Sequence, residues 1–366
     1  MLKRAKPTDA ETPTVLLTAA TVGRRVLVSQ YFVLLLTVVY FLVVWAFVPW
    51  MGNAANLGNI LSNMWPLLAA AVGQTFVLVV AGIDLSQVAV MAVTSVVGTS
   101  LIVQSVNPIL FEKSPLWGVL ISEQGGILAN EPSGIIIAIL AALLVGTLIG
   151  LINGTSIAVF RMPPFIVTLI SMMFFGALAI FLTKSENFMN LPDGFIGIAY
   201  ERFGPVSFSM LISIALATVA YLILGRSIIG RWMYAVGLNP RASHISGVPS
   251  RGVVVFAYAF SGFCAAVAGL LFTSRLQVGR PVAGGLPMIL QIVGANIIGG
   301  MSLTGGKGKI TWTVFGVLFF VVLMNSLSQM NLDSFSVNIV QGFVILMAAV
   351  LDVARNRIAA SSGGRS

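Results

Sequence analysis

The chain has 366 residues, of which 58% are hydrophobic and 8% are charged, and its mean hydropathy is +1.01. Because soluble globular proteins carry about 25% charged residues, this composition excludes an ordinary soluble domain and indicates a polytopic membrane protein. There is one cysteine, Cys264, and one histidine, His244, which excludes a disulfide framework and a His/Cys metal cluster. We therefore predict an all-α membrane fold surrounded by lipid.

Apolar runs predict about ten transmembrane helices, because roughly 20 residues are needed to cross about 30 Å of hydrocarbon. The eighth run is short and rich in glycine, and it could be re-entrant or broken. In each half of the chain the third run follows a glycine-bearing break, at Gly82 and at Gly284, which is consistent with an inverted repeat of five plus five spans. The predicted spans are 31–50, 64–81, 85–106, 134–160, 165–183, 206–224, 252–273, 286–301, 310–330 and 336–353.

The charges predict the orientation of these spans. With the N-terminus in the cytoplasm, fifteen of the 20 basic residues fall on the cytoplasmic side, as the positive-inside rule requires. The net charge of +9 then reflects topology, and nucleic acid is not an expected partner. We predict a cytoplasmic N-terminal tail over 1–30 without a removed signal peptide, a transmembrane domain over 31–354 and a cytoplasmic C-terminal tail over 355–366.

No catalytic apparatus is visible in the sequence. The acidic residues lie almost entirely at predicted surfaces, and His244 lies in a basic cytoplasmic loop. The segment 300–309, GMSLTGGKGK, looks like a phosphate-binding loop, but that motif would need glycine at Met301 and a hydroxyl residue at Gly308. We expect no enzymatic activity, cofactor or metal ion in this chain.

A cytoplasmic loop over 225–251 contains four arginines and two prolines, and the pair Asn239 and Pro240 divides it into two short helical pieces. Two interpretations stay open. The loop could dock onto another protein, or its arginines could only hold the topology at the membrane surface.

Polar residues inside the spans suggest where a solute could pass. Asp84 is the one acid close to the interior of the spans, and it is either a helix cap or network member or a direct contact to substrate. A lone acid argues against a proton relay. The neutral polar residues would suit the path of a hydroxylated solute such as a sugar, or they form interhelical hydrogen bonds. They are Gln74, Asn153, Thr168, Ser171, Gln291, Asn296, Asn325, Asn338 and Gln341.

Three glycines at four-residue spacing, Gly146, Gly150 and Gly154, give the fourth predicted span a smooth face. Small residues let membrane helices approach closely. We predict that this face packs against another helix and does not bind a solute.

Several motifs, in order and covering about 64–357, resemble the permease subunits of bacterial ABC sugar importers of the ribose, galactose, xylose and arabinose type. Two departures from the family pattern stand out, Ala81 in place of a glycine and Gln87 in place of a small residue. The motifs are AGIDLS at 81–86, GLING at 150–154, PPFIVTL at 163–169, GLNP at 237–240 with SGV at 246–248, SG at 261–262 with AG at 268–269, and GGMSLTGGKG at 299–308.

The resemblance implies a permease in the bacterial inner membrane that pairs with a second permease, either another copy or a paralogue. It also implies two cytoplasmic ATPase subunits that use the ATP, and a periplasmic solute-binding protein that delivers a monosaccharide or related polyol. Permeases for nucleosides and other small polar solutes share this architecture, and an ion-coupled secondary transporter is a more distant alternative.

The resemblance also implies two groups of site residues. The ATPase-coupling loop would use Gly230, Tyr234, Gly237, Asn239, Pro240, Ser246 and Gly247. The translocation path or its structural motifs would use Gln74, Gly82, Asp84, Ser86, Asn153, Phe165, Thr168 and Asn296.

Overall fold

The computed structural model describes residues 31–204 and 206–363, with side-chain surroundings as far as residue 350. The predicted N-terminal tail over 1–30 lies outside the described residues, as do the last three residues of the predicted C-terminal tail. The described part of the chain is mostly helical.

Within the described residues, helices and connecting turns follow one another, with a 3-10 turn at Pro49–Gly52 after the first helix. We number the described α-helices α1 (Phe32–Phe47), α2 (Ala54–Val79), α3 (Gln87–Ile102), α4 (Pro108–Phe111), α5 (Gly134–Ala158), α6 (Pro164–Thr183), α7 (Asp193–Tyr200), α8 (Phe208–Arg226), α9 (Ile228–Leu238), α10 (Pro240–Ile245), α11 (Ser250–Leu276), α12 (Gly285–Gly299), α13 (Ile310–Gln329) and α14 (Ser334–Gly363).

Two small antiparallel hairpins lie in the connections between these helices. Strands β1 (Ile121–Ser122) and β2 (Gly125–Gly126) pair Ile121 with Gly126. Strands β3 (Arg202–Phe203) and β4 (Val206–Ser207) pair Arg202 with Ser207. Each strand has two residues, so the hairpins are turns within loops and form no sheet domain.

The chain is a multi-pass membrane protein. Six of the described helices, α2, α5, α6, α8, α11 and α13, are long and apolar enough to cross a membrane. Of the two alternatives for the eighth run, a broken helix is wrong, because α12 is one continuous helix of 15 residues, and a re-entrant segment stays a prediction. At 1.5 Å per residue it is about 22 Å long. It is bounded by Gly284 and Gly300, which have φ angles of 74° and 103°.

Helix α2 begins ten residues before the predicted span at Met64. Its start is capped by Asn53, whose Oδ1 accepts a hydrogen bond from the N–H of Ala55 over 3.1 Å. The first turns carry polar residues such as Asn56, which is bonded to Asn325 on α13 over 2.9 Å. These turns are helical without an apolar sequence pattern, because their polar side chains have hydrogen-bond partners inside the protein.

The core forms where α11 packs against α2, α3 and α5. Gly150 lies directly against the carbonyl of Tyr258 on α11, and a Cβ at Gly146 would be 2.6 Å from Cβ of Ala266. Gly154 faces Val255 in the same way. The predicted packing face is confirmed, and α11 occupies the space that side chains on α5 would need.

We expect Gly150→Ala to lower the melting temperature of the purified protein, because the added methyl group would overlap the α11 backbone. The matched control is Gly225→Ala near the end of α8, where nothing lies within 4 Å. That change should leave the melting temperature unchanged or raise it, since alanine favours a helix by about 0.5–1 kcal/mol over glycine. Equal effects at the two positions in a thermal melt in detergent would contradict this account of the α5–α11 contact.

Candidate functional site

The connection between α2 and α3, residues 80–86, interrupts the helical core. Buried irregular backbone needs hydrogen-bond partners from the protein. The hydroxyl of Thr168 on α6 donates to the carbonyl of Ile83 over 3.2 Å. The amide of Gln74 donates to the carbonyl of Asp84 over 3.1 Å and accepts from its N–H over 3.3 Å, in the amide orientation that suits both partners. Side chains from two helices thus replace the missing helical hydrogen bonds.

Asp84 is 2% exposed, and its carboxylate accepts three hydrogen bonds. Oδ1 accepts from the N–H of Ser86 over 3.0 Å and from its hydroxyl over 2.6 Å. Oδ2 accepts from the hydroxyl of Ser261 on α11 over 2.7 Å. These donors offset part of the cost of burying a carboxylate. The N-cap position of α3 is Ser86, so in this structure Asp84 belongs to a hydrogen-bond network next to the cap. A direct contact between Asp84 and a substrate stays a prediction.

Two further amides extend this network. Asn153 on α5 donates to the hydroxyl of Ser86 over 2.9 Å. Gln87 donates to the hydroxyl of Ser261 over 2.8 Å, and to the carbonyl of Ala70 on α2 over 3.2 Å. We call the six residues connected by these hydrogen bonds the polar hub; they are Gln74, Asp84, Ser86, Gln87, Asn153 and Ser261. The hub ties α2, α3, α5 and α11 together.

The remaining predicted path residues take different positions. Gly82 lies against the hydroxyl of Tyr258, where a side chain would overlap that ring. Phe165 is 55% exposed at the start of α6. Asn296 on α12 is fully buried away from the hub, and its Oδ1 accepts from Thr75 over 2.9 Å and from Thr313 over 3.0 Å. Hence Asn296 links α12 to α2 and α13, and a place for it in a translocation path stays a prediction.

The predicted coupling loop folds into two helices, α9 and α10, as its turn signal indicated. Asn239 separates them, and its Oδ1 caps α10 by accepting from the N–H groups of Arg241 and Ala242 over 3.1 and 3.0 Å. Gly230 is buried against the carbonyl of Leu224, so it has no room for a side chain. Pro240 opens α10 at its first position, where a missing N–H costs nothing.

One face of this two-helix segment is fixed to the protein and the other is exposed. Tyr234 donates its hydroxyl to the carbonyl of Gly308 over 2.7 Å, and burial raises the pKa of that phenol above its usual range, so it stays a donor. Ile245 is 86% exposed and Ser246 is exposed beside it. Gly247 has a φ of 83° with nothing within 4 Å of its missing Cβ. The exposed face of this segment thus presents a large apolar side chain together with exposed arginines, and the docking interpretation stays a prediction.

A cavity of about 420 Å³ lies at the opposite end of α2. It is lined on one side by Asn59, Ser62 and Trp65 of α2. Tyr200 and Arg275 line the other side, and the hydroxyl of Tyr200 donates to the carbonyl of Arg275 over 2.8 Å. Aromatic, amide, hydroxyl and guanidinium groups therefore face one space, which gives it both stacking surfaces and hydrogen-bonding groups.

Sequence reasoning missed several of these residues. Ser261 belongs to a motif that the sequence showed, but nothing in its spacing points to Asp84. Thr75 and Thr313 looked like ordinary helix residues. Asn59 and Ser62 precede the predicted apolar run, and no motif around Arg275 points to this cavity.

Sequence comparisons place the chain among known membrane permeases. Residues 56–350 match the family model described as "Branched-chain amino acid transport system / permease component". The chain is 32% identical over 303 residues to the ribose import permease protein RbsC of Haemophilus influenzae, covering 81% of this chain and 84% of that protein. It is also 32% identical over 302 residues to RbsC of Bacillus subtilis, with the same coverage of 81% and 84%.

A more distant relative is the L-arabinose transport system permease protein AraH of Escherichia coli K12, 27% identical over 54% of this chain and 60% of that protein. No solved structure matches the chain. Because the family model covers most of the sequence, the chain belongs to the family of branched-chain amino acid transport system permease components.

Proposed function

We propose that this chain is the membrane-spanning permease subunit of an ABC importer for a monosaccharide or related polyol. The observation that carries the proposal is its 32% identity, over 81% of its length, to two ribose import permeases. The partners would be cytoplasmic ABC ATPase subunits, a second permease and a periplasmic solute-binding protein. The ATP would be bound and hydrolysed by the ATPase subunits.

The proposed topology has ten crossings in the bacterial inner membrane, with both termini in the cytoplasm. The helices α1, α2, α3, α5, α6, α8, α11, α12, α13 and α14 would make these crossings. The charge distribution supports this arrangement. It would place the cavity at the periplasmic ends of α2 and α11, and the two-helix segment α9–α10 on the cytoplasmic side.

The chain would act as a gate with two conformations. The loaded binding protein would stabilise one of them from the periplasm, and the ATP-bound ATPases would stabilise the other from the cytoplasm. Since a ligand shifts a conformational equilibrium only by its difference in affinity for the two states, the direction of transport would come from these partners.

The reconstituted system gives the direct test of this function. Proteoliposomes would contain this chain with its ATPase subunits, and the binding protein and radiolabelled ribose, arabinose or a nucleoside would be added outside. We expect ATP-dependent uptake of a monosaccharide that continues when the proton gradient is collapsed and stops with an inactive ATPase. Uptake driven by the proton gradient alone, or uptake of nucleoside in preference to every sugar, would contradict the proposal.

The cavity is the proposed entry point for the sugar, so Asn59→Leu should lower uptake roughly fivefold by removing a hydrogen-bonding group worth about 1 kcal/mol. The control is Asn63→Leu, one turn further along α2 at an exposed position outside the cavity lining. Uptake rates would be measured at sub-saturating sugar-loaded binding protein. The same loss in both variants would reject the cavity as an entry point.

Asp84→Ala should reduce uptake roughly tenfold or more, because three hydrogen bonds to a buried carboxylate are lost together. Asp84→Asn should retain part of the activity, since an amide oxygen can still accept. Asp193→Ala changes an exposed aspartate at the start of α7 and provides the control. Wild-type uptake by the Asp84→Ala protein would remove Asp84 from the functional site.

Gly247→Ile should uncouple ATP hydrolysis from transport, lowering sugar uptake per ATP roughly tenfold while the complex still hydrolyses ATP. The physical reason is that a β-branched residue distorts the turn after α10, where φ is 83°. Gly118→Ile controls for backbone strain, because Gly118 has a φ of 70° and equally open surroundings in a loop on the proposed periplasmic side. Normal coupling in the Gly247→Ile complex, or equal uncoupling by Gly118→Ile, would refute the docking role.

A further inference from the structure

The loop between α12 and α13, residues 302–308, has no role in the function described so far. Its sequence looked like a phosphate-binding loop, in which backbone N–H groups hold an anion. Here the N–H of Gly306 donates to the carbonyl of Val79 over 2.9 Å, at the end of α2. The donor that a phosphate would need is therefore bound to the protein's own backbone.

On one side this loop contacts helix α9 of the coupling segment. A Cβ at Gly306 would be 2.5 Å from Cγ of Leu238, and a Cβ at Gly237 would be 2.6 Å from the nitrogen of Gly306. The hydroxyl of Tyr234 donates to the carbonyl of Gly308 over 2.7 Å. The last two turns of α9 thus lie in direct contact with the loop.

On its other side the loop contacts the start of the break that contains Asp84. Gly305 lies against Ala81, with its missing Cβ 2.6 Å from Cβ of Ala81. Gly237 also contacts the carbonyl of Val79 directly. Ala81 is three residues before Asp84, so a shift of the loop would move the backbone that carries the carboxylate of the polar hub.

We propose that the loop 302–308 is the mechanical connection between the ATPase-docking segment and the polar hub, and that Gly305 and Gly306 are its positioning residues. A displacement of α9 by the ATPase would move the loop, and the loop would move Val79 and Ala81. The hub would then exchange one hydrogen-bonded arrangement for another. This inference rests on the proposed function as an ATP-driven importer.

Two physical features suit the loop to this role. The direct contacts of Gly306 with the Leu238 side chain and of Gly305 with Cβ of Ala81 leave little space to absorb a displacement, because close-packed protein is hardly compressible. Gly305, Gly306 and Gly308 have φ angles of 82°, 70° and 144°, which are unfavourable for other residues, so the loop keeps this path only with glycine.

The loop is also held at its base. Beyond its two ends, Asn296 of α12 and Thr313 of α13 are bonded to each other over 3.0 Å and both are bonded to Thr75 of α2. A push from α9 would therefore be directed toward the break next to α2 and would not simply carry the loop away from it.

The test uses the complete transporter in proteoliposomes and measures both sugar uptake and ATP hydrolysis. The variants are Gly306→Ala and Gly305→Ala, with Gly118→Ala as the control. Gly118 has a similar φ of 70° but nothing within 4 Å, so it reports backbone strain without the contact. Absence of ATP-driven uptake in the wild-type complex would contradict the proposed function. A difference between the variants and an active wild-type complex tests only the role of the loop.

We expect uptake per ATP hydrolysed to fall roughly fivefold or more in the Gly306→Ala and Gly305→Ala complexes, with hydrolysis retained. The Gly118→Ala complex should match the wild type. If uptake and hydrolysis fall together, the loop serves ATPase docking and the proposed connection is overturned. An unchanged ratio in assembled complexes overturns it as well.

If the complexes with the glycine variants do not assemble, Tyr234→Phe tests the proposed connection instead. This change removes only the hydroxyl that donates to the carbonyl of Gly308. It should lower uptake per ATP about twofold to fivefold, as expected for one lost hydrogen bond. Tyr221→Phe, on the exposed face of α8, is the control. Equal coupling ratios in the two tyrosine variants would overturn the proposal.

A double-variant cycle tests the route through the hub. If the loop acts through Asp84, the loss of uptake in the complex carrying both Gly306→Ala and Asp84→Asn should not exceed the larger single loss. Losses that multiply would show that the two sites act independently, and would overturn the proposed route.

Discussion

The structure depends on one constraint, that a backbone polar group inside a membrane protein needs a partner from the protein itself. Helices meet this requirement on their own, but the seven residues between α2 and α3 do not. The N–H groups of residues 80–82 donate to carbonyls of α2. Further along, backbone groups of residues 83–86 are bonded by Thr168, by Gln74 and by the carboxylate of Asp84. The polar hub therefore exists because helical structure stops between α2 and α3. The side chains of the hub connect four helices, α2, α3, α5 and α11.

Close packing makes this arrangement possible. Where α5 crosses α11, glycines let the two backbones touch, which brings Asn153 and Ser261 within reach of Ser86 and Asp84. A second contact of the same kind occurs on the side of α9, where the Gly-rich loop lies against α2. In both places the absence of a side chain on glycine lets the two elements lie close together. A substitution at such a glycine would therefore displace the polar groups nearby.

Helix α2 connects the features to which we assign function. Ser62 and Trp65 line the cavity near its first half, Gln74 holds the break, and Val79 receives the bond from the Gly-rich loop. The proposed entry site, hub and coupling segment therefore lie along one continuous helix, which is buried from residue 64 to residue 79. A transporter driven by external partners needs such a connection, since events at the two membrane surfaces must influence each other.

Much of this protein follows from its sequence. Apolar length, the distribution of arginines and lysines, and the glycine spacing on α5 predicted a helical membrane protein and one of its packing faces, because lipid imposes these patterns on every spanning segment. Motifs singled out Asp84, Ser86 and Asn153. Tertiary structure alone decided that Ser261 donates to Asp84 and that Asn296 belongs to a separate cluster. It also decided that Ala81 adopts a left-handed φ of 62°, at the position where the pattern of the sugar-importer permeases has glycine. Those outcomes depend on which helices meet, and hydrophobicity measured along a chain carries no information about neighbours more than a hundred residues away.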